Sequence, residues 1–447
     1  MIINKVRHSV VVRASVRVAA AVLLTSTLTT LGLAQPDVAH AARTDRPDWL
    51  LVADAPAAVL SVVDEHTGAR RDHLDGVRLG THAGVIQLGH GHVAFVDEAR
   101  RALDVLRITQ SGRVRIVQSF AIPQVAGPWN RAGWISTDVT RRYIAVGSDV
   151  DDSTRQQVTL VDRTRNQAHT ASITTHRVQL ATTGKPGTEE METFLVGHPL
   201  ELVVTAGGVF DAYSARSVLA GDTAPGVIAS TPLGQYPHGP IVDASGTTIG
   251  STLHDGIETV RVDQHGFRPA TTAPYPVPAA QSFRPRMAPD GTTAVGTQAG
   301  SSPTAPALLT SSSTVHPGVR TVRLQPGTVT RSVVTATWAA AVVTSAQGTD
   351  TLDVVDRAAD GSFTGHVTRI AVDRARTPTT GARFLAASAD GTRLFLSRAG
   401  DTTVTVVRVQ GHAATVVAHL SAGSAMSDGG YLATVDAGVR PFDLIGR

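Results

Sequence analysis

The sequence predicts an all-β fold, a β-propeller of four-stranded blades closed by pairing of its N- and C-terminal strands. Three observations predict it. After residue 41 the chain is a succession of short runs rich in Val, Thr, Ile and Leu, punctuated by Gly, Asp and Pro, with no sustained helical period. Candidate first strands recur at intervals of about 40 to 60 residues, near His82, Trp134, His198, His238, Phe283, Val333 and Phe384, which is the period of a propeller blade. The Leu50–Leu79 region carries three strand-like runs and Tyr431–Ile445 supplies the remainder, so joining the ends leaves no open sheet edge.

The chain opens on a leader. Lys5, Arg7, Arg13 and Arg17 precede an apolar stretch from Val18 to Leu33, and Ala39-His40-Ala41 is a small-x-small cleavage signal. This is the pattern of a secretory signal peptide over residues 1–41, too short in its apolar part for a bilayer span. The expected product is a secreted or extracytoplasmic chain with one propeller domain over residues 42–447, without a membrane segment after cleavage.

Paired runs follow. Leu50-Leu51-Val52-Ala53 precedes Val59–Asp64, Val93–Asp97 precedes Leu103–Ile108, and Tyr143–Val146 precedes Val158–Asp162. Arg393–Leu396 precedes Val404–Val409 near the far end. Pro289-Asp290-Gly291 and Ala389-Asp390-Gly391 suit a tight turn between a first and a second strand. The count favours eight blades over seven. Two β-sandwiches are the rival, but they explain the period less well, and no Pro/Ser linker divides the chain.

Charge and cysteine narrow the function. The formal net charge is +3, but the leader holds four of the 40 basic residues and one of the 37 acidic ones, so the remainder is balanced. No basic stripe argues for nucleic acid or an anionic membrane. Cysteine is absent, which removes thiolate metal sites and thiol catalysis. A metal site must therefore use His, Asp, Glu or water.

Histidines stand at three matching places. Thr81-His82-Ala83, Gly197-His198-Pro199 and Pro237-His238-Gly239 each lead into a β-rich run. At equivalent places in a ring of repeats, His82, His198 and His238 are expected to converge on the axis. Imidazole nitrogen suits zinc, usually with four ligands at about 2.0–2.1 Å. Trp134, Arg284 and Arg383 occupy the corresponding places in other units, which makes such a site lopsided. In Gly89-His90-Gly91-His92, residues i and i+2 of a strand share a face, so His90 and His92 form a chelating pair or an exposed hairpin tip. Asp64-Glu65-His66 and Asp72-His73-Leu74-Asp75 flank a hairpin and read as solvated turn residues, with weak cation binding as the alternative. His254-Asp255-Gly256 is a lesser ligand candidate, and Asp149–Ser153 lacks the glycine and distal glutamate of a calcium loop. The Gly-x-Ser-x-Gly, His-Glu-x-x-His and Walker templates are absent.

The runs Leu51–Asp54 with Val59–Asp64, and Phe384–Arg398 with Val404–Val409, resemble secreted propellers with YVTN-like repeats. Within that class, the histidine-led strands resemble the periplasmic zinc metallochaperones that accompany zinc ABC importers. The resemblance implies a monomeric metal carrier that holds zinc on His82, His198 and His238, more loosely on His90 and His92, and passes it to the importer's solute-binding protein. One departure is that Ala42–Trp49 contains no histidine, whereas such chaperones often carry a mobile His- and acid-rich segment. Two other classes remain open. One is a hydrolase of the lactonase kind, whose channel metal activates water beside Asp255 or Glu201. The other is a metal-free scaffold that binds protein or glycan on its loops.

Overall fold

A computed structural model describes residues 48–445 apart from 81–83, 124–131, 151–154, 175–191, 206–207, 235–238, 254–255, 277–281, 299–303, 316–317, 375–382, 423–425, 427–429 and 436–443. The strands form eight antiparallel sheets. Blade 1 joins the two ends of the chain, with β1 (Trp49–Asp54), β2 (Val59–Asp64) and β3 (Arg70–Asp75) beside β33 (Tyr431–Val435). Blade 2 is β4 (Val85–Gly89), β5 (His92–Asp97), β6 (Ala102–Ile108) and β7 (Val114–Ala121), with β34 (Leu444–Ile445) on its β4 edge. Blade 3 is β8 (Ala132–Thr137), β9 (Tyr143–Val150), β10 (Arg155–Asp162) and β11 (Gln167–Thr174). Blade 4 is β12 (Thr193–Val196), β13 (Glu201–Thr205), β14 (Val209–Ser214) and β15 (Val227–Pro232), with the short helix α1 (Ala215–Leu219) before its last strand.

Blade 5 holds β16 (Pro240–Val242), β17 (Thr248–Thr252), β18 (Gly256–Asp263) and β20 (Thr271–Pro274), plus the two-residue β19 (Gly266–Phe267). Blade 6 is β21 (Ser282–Met287), β22 (Thr293–Gln298), β23 (Pro306–Ser313) and β24 (Val319–Pro326). Blade 7 is β25 (Thr328–Val334), β26 (Trp338–Thr344), β27 (Thr349–Arg357) and β28 (Phe363–Arg374). Blade 8 is β29 (Arg383–Ala387), β30 (Arg393–Arg398), β31 (Thr403–Gln410) and β32 (Ala413–Ser421). This is the eight-bladed propeller expected from the period, and its ring is closed by β33 against β1 as expected.

Burial explains the composition of the runs. The second strand of blade 7, Trp338–Thr344, is buried at every position, because neighbouring blades cover both faces of the sheet. Last strands such as β3 and β15 alternate between exposed and half-buried residues at the outer rim. The apolar residues gather between blades. Val146 and Val161 of blade 3 meet Leu103 and Val105 of blade 2, and Leu352 and Val354 of blade 7 meet Leu394 and Leu396 of blade 8. Stability is therefore spread around the ring, one inter-blade layer at a time.

Because the strands alternate in direction, the turns after the first and third strands of every blade emerge on one face of the ring. The turn after the second strand and the link to the next blade emerge on the other. Asp290 and Asp390 shape two of the first-strand turns as the sequence predicts, each accepting from the backbone N–H groups that follow. Two first-strand assignments need correction. Thr193–Val196 precedes His198, so His198 sits in the turn after its inner strand, and Val333 is near the end of β25 rather than at its start.

Candidate metal centre

The site is built on an irregularity in blade 7. The β27–β28 ladder pairs Val355 with Val367 and then Arg357 with Phe363, so extra residues of β28 bulge out around Gly365. Gly365 has φ 88°, a left-handed conformation that suits glycine. Arg357 fixes one side of this bulge. Its buried guanidinium reaches Asp290 Oδ2 of blade 6 at 2.7 Å, the Gly361 carbonyl at 3.3 Å and the Thr335 carbonyl. Thr364 Oγ1 donates to the Asp356 carbonyl at 3.4 Å and accepts from the His366 N–H at 3.3 Å. These contacts direct the His366 imidazole onto the Asp356 carboxylate, with Nδ1 2.9 Å from Oδ2.

Blade 8 supplies the third member. Gln410 pairs with Ala413, leaving Gly411 and His412 as a two-residue hairpin turn. Thr368 Oγ1 of blade 7 donates to the His412 carbonyl at 2.6 Å and holds that hairpin against β28. His412 Nδ1 meets the same Asp356 Oδ2. The imidazole rings lie 4.8 Å apart at 63°. Asp356 is 7% exposed, whereas the side chains of His366 and His412 are 49% and 77% exposed. The carboxylate is thus anchored and the imidazoles line an open surface.

Asp356, His366 and His412 each offer a ligand atom, all within 4.8 Å of one another, and they are the one such group among the described residues. Tetrahedral zinc with bonds near 2.0–2.1 Å needs ligand atoms about 3.3 Å apart, so the 2.9 Å contact of Asp356 Oδ2 with His366 Nδ1 and its closer contact with His412 would have to open to admit the ion. Two imidazoles and a carboxylate suit zinc among the divalent ions, and three protein ligands leave a position for water or another donor. Asp356 Oδ2 lies within hydrogen-bonding distance of Nδ1 of both imidazoles. A bound ion would require the ligating imidazole nitrogens to be unprotonated.

Of the sequence-predicted residues that are described, His198, His90 and His92 take no part in this group. His82 and His238 lie outside the described residues, as do His254 and Asp255. His198 is exposed in the β12–β13 turn. His90 is exposed in the β4–β5 turn with φ 52°, and His92 is half-buried at the start of β5, where desolvation lowers its pKa. Among the described residues, neither belongs to a three-ligand group. Glu201 is buried at the start of β13, its pKa raised by burial. At the opposite face of the ring, buried Glu192 accepts from the Gly239 N–H, bringing a carboxylate to the residue after His238.

Glu65 departs from its expected solvated state. Its side chain has no exposed surface, and among the described residues neither carboxylate oxygen has a hydrogen-bond partner. His66 Nε2 stands 3.6 Å from Oε1, and Arg393 Nη1 donates to the Glu65 carbonyl at 2.6 Å. Burial, with the nearby charges of Asp48 and Asp390, pushes its pKa up to about 8.

No family model and no curated protein matches the chain. Solved structures do. Apo AztD from Citrobacter koseri is 12% identical with a TM-score of 0.57, covering 87% of this chain and 98% of that one. Dihydro-heme d1 dehydrogenase NirN in complex with DHE is 12% identical with a TM-score of 0.56, covering 87% of this chain and 75% of that one. What they share with this chain is the propeller fold.

Proposed function

We propose that this propeller is an extracytoplasmic carrier of zinc or a similar divalent ion, and that Asp356, His366 and His412 hold the ion. The observation that supports the reading is the convergence of two imidazoles from different blades on one anchored carboxylate oxygen. The resemblance to periplasmic zinc metallochaperones agrees with it. The open coordination position suits a cargo ion, since a recipient such as a metal importer's solute-binding protein can offer the next ligand there. The leader in residues 1–41 and the channel set of His82, His198 and His238, with His90 and His92, belong to this proposal as the export signal and a second metal locus.

Equilibrium dialysis against zinc tests it. The proposal expects the protein to bind zinc and to lose one equivalent when His366 and His412 are both replaced by Ala. The His82→Ala, His198→Ala and His238→Ala triple variant reports separately on the channel locus. Unchanged stoichiometry in both variants would end the carrier reading.

A further inference from the structure

Blades 3 and 4 lie halfway round the eight-bladed ring from the blade 7–8 metal-ligand cluster. On the same face they enclose a cleft of about 380 Å³. Tyr143, Asp162, Arg165 and Gln167 form its blade 3 wall, and Arg216 and Leu219 of helix α1 form much of its blade 4 wall. Leu200 adds a second apolar contact beside Leu219.

The charge in this cleft is unbalanced. Asp162 is its one acidic group, and it is already satisfied. Arg142 grips it through Nε–Oδ1 at 3.1 Å and Nη2–Oδ2 at 2.6 Å. The Thr164 hydroxyl and N–H donate to Oδ1 at 2.7 and 3.0 Å. Arg142 is itself held over the Tyr143 ring, 4.7 Å from its centroid. Arg165 Nε lies 3.8 Å from Asp162 Oδ2, at the long end of an ion pair. Among the described residues, Arg216 has no carboxylate partner within 4.0 Å. One carboxylate therefore faces three guanidinium groups, of which two project toward the cleft.

We infer that this cleft binds a small organic dianion, a dicarboxylate or a phosphate monoester, with Arg165 and Arg216 taking the charged groups. Planar guanidinium forks match carboxylate and phosphate oxygens two at a time. The Gln167 amide and Tyr143 hydroxyl supply neutral hydrogen bonds, and Leu200 and Leu219 accept a short apolar backbone. The volume fits small ligands. The site is independent of the metal-carrier reading, because it shares no residue with the metal-ligand cluster.

Isothermal titration of the metal-free protein at fixed ionic strength tests this, with succinate and glycerol 3-phosphate as probes and acetate as the monoanion control. At least one dianion should saturate the protein and outcompete acetate. Arg216→Gln should weaken that binding by about tenfold, the scale of one lost charge-assisted contact. Arg268→Gln, an exposed cation on blade 5 paired with Asp263, should leave it unchanged. Saturation by succinate alone assigns a carboxylate ligand, and by glycerol 3-phosphate alone a phosphate ester. Failure of both dianions to saturate, or equal affinities in wild type and Arg216→Gln, overturns the proposal.

Discussion

Arg383 Nε lies 3.0 and 3.1 Å from the two carboxylate oxygens of Asp350, and both side chains are almost wholly buried. Asp350 belongs to blade 7 and Arg383 to blade 8, so the pair locks two blades together. The lock extends further. Arg331 Nε donates to the Arg383 carbonyl at 3.2 Å, its guanidinium lies 4.5 Å from the Phe384 centroid, and Phe384 meets Tyr431 of blade 1 at 5.1 Å.

Removing one half of that pair leaves a buried charge uncompensated. Asp350→Ala is expected to cost about 3–5 kcal/mol in chemical unfolding. Replacing both residues with apolar ones, Asp350→Leu with Arg383→Met, should recover most of that loss. A double variant as damaged as the single one contradicts this account.

Ring closure rests on β33, where Trp49 pairs with Val435 and Leu51 with Ala433. Leu432 is 1% exposed in the apolar layer shared with blades 1, 2 and 8. Leu432→Ala should cost about 2–5 kcal/mol. Deleting residues 431–447 should expose the edge of β1 and produce self-association visible by light scattering.

Glu65 gives stability a pH dependence of definite sign. In the folded protein it keeps its proton up to about pH 8, whereas the ordinary value is 4.5. Between those values the unfolded chain binds fewer protons than the folded one. This group's contribution is therefore full below about pH 4.5 and is lost as pH rises toward 8. Glu65→Gln should flatten that decline, so its melting temperature should gain on wild type most at pH 8. A difference that does not change between pH 5 and pH 8 contradicts the assignment.

The bulge that aims His366 depends on Gly365, which has φ 88° and open space where a Cβ would lie. Gly365→Ala meets no clash, so its cost is conformational, about 1 kcal/mol. Zinc affinity should fall as His366 is redirected, while the fold persists. Zinc should also raise the melting temperature of wild type, because the ion binds the folded state. His412→Ala should lessen that increase.

The ring was legible because its signal is periodic: paired β-rich runs joined by a short turn recur about once per blade, as in Phe384–Leu396 with its Asp390-Gly391 turn. The candidate metal-ligand cluster was not. Asp356 reads as the polar end of an apolar strand, His366 as an exposed position of an outer strand, and His412 as a hairpin tip. Only the bulge at Gly365 and the register of blade 8 against blade 7 bring them together. One available signal was that His366 and His412 stand about one blade period apart. The histidine-led pattern misplaced His198 because the strand that lines the axis, Thr193–Val196, is short and ends before it.

Anomalous diffraction at the zinc edge from zinc-soaked crystals tests the central claim most directly. The account predicts a peak about 2.0–2.1 Å from ligand atoms of Asp356, His366 and His412. Zinc-loaded crystals with no peak between blades 7 and 8, and density only elsewhere in the ring, would contradict it.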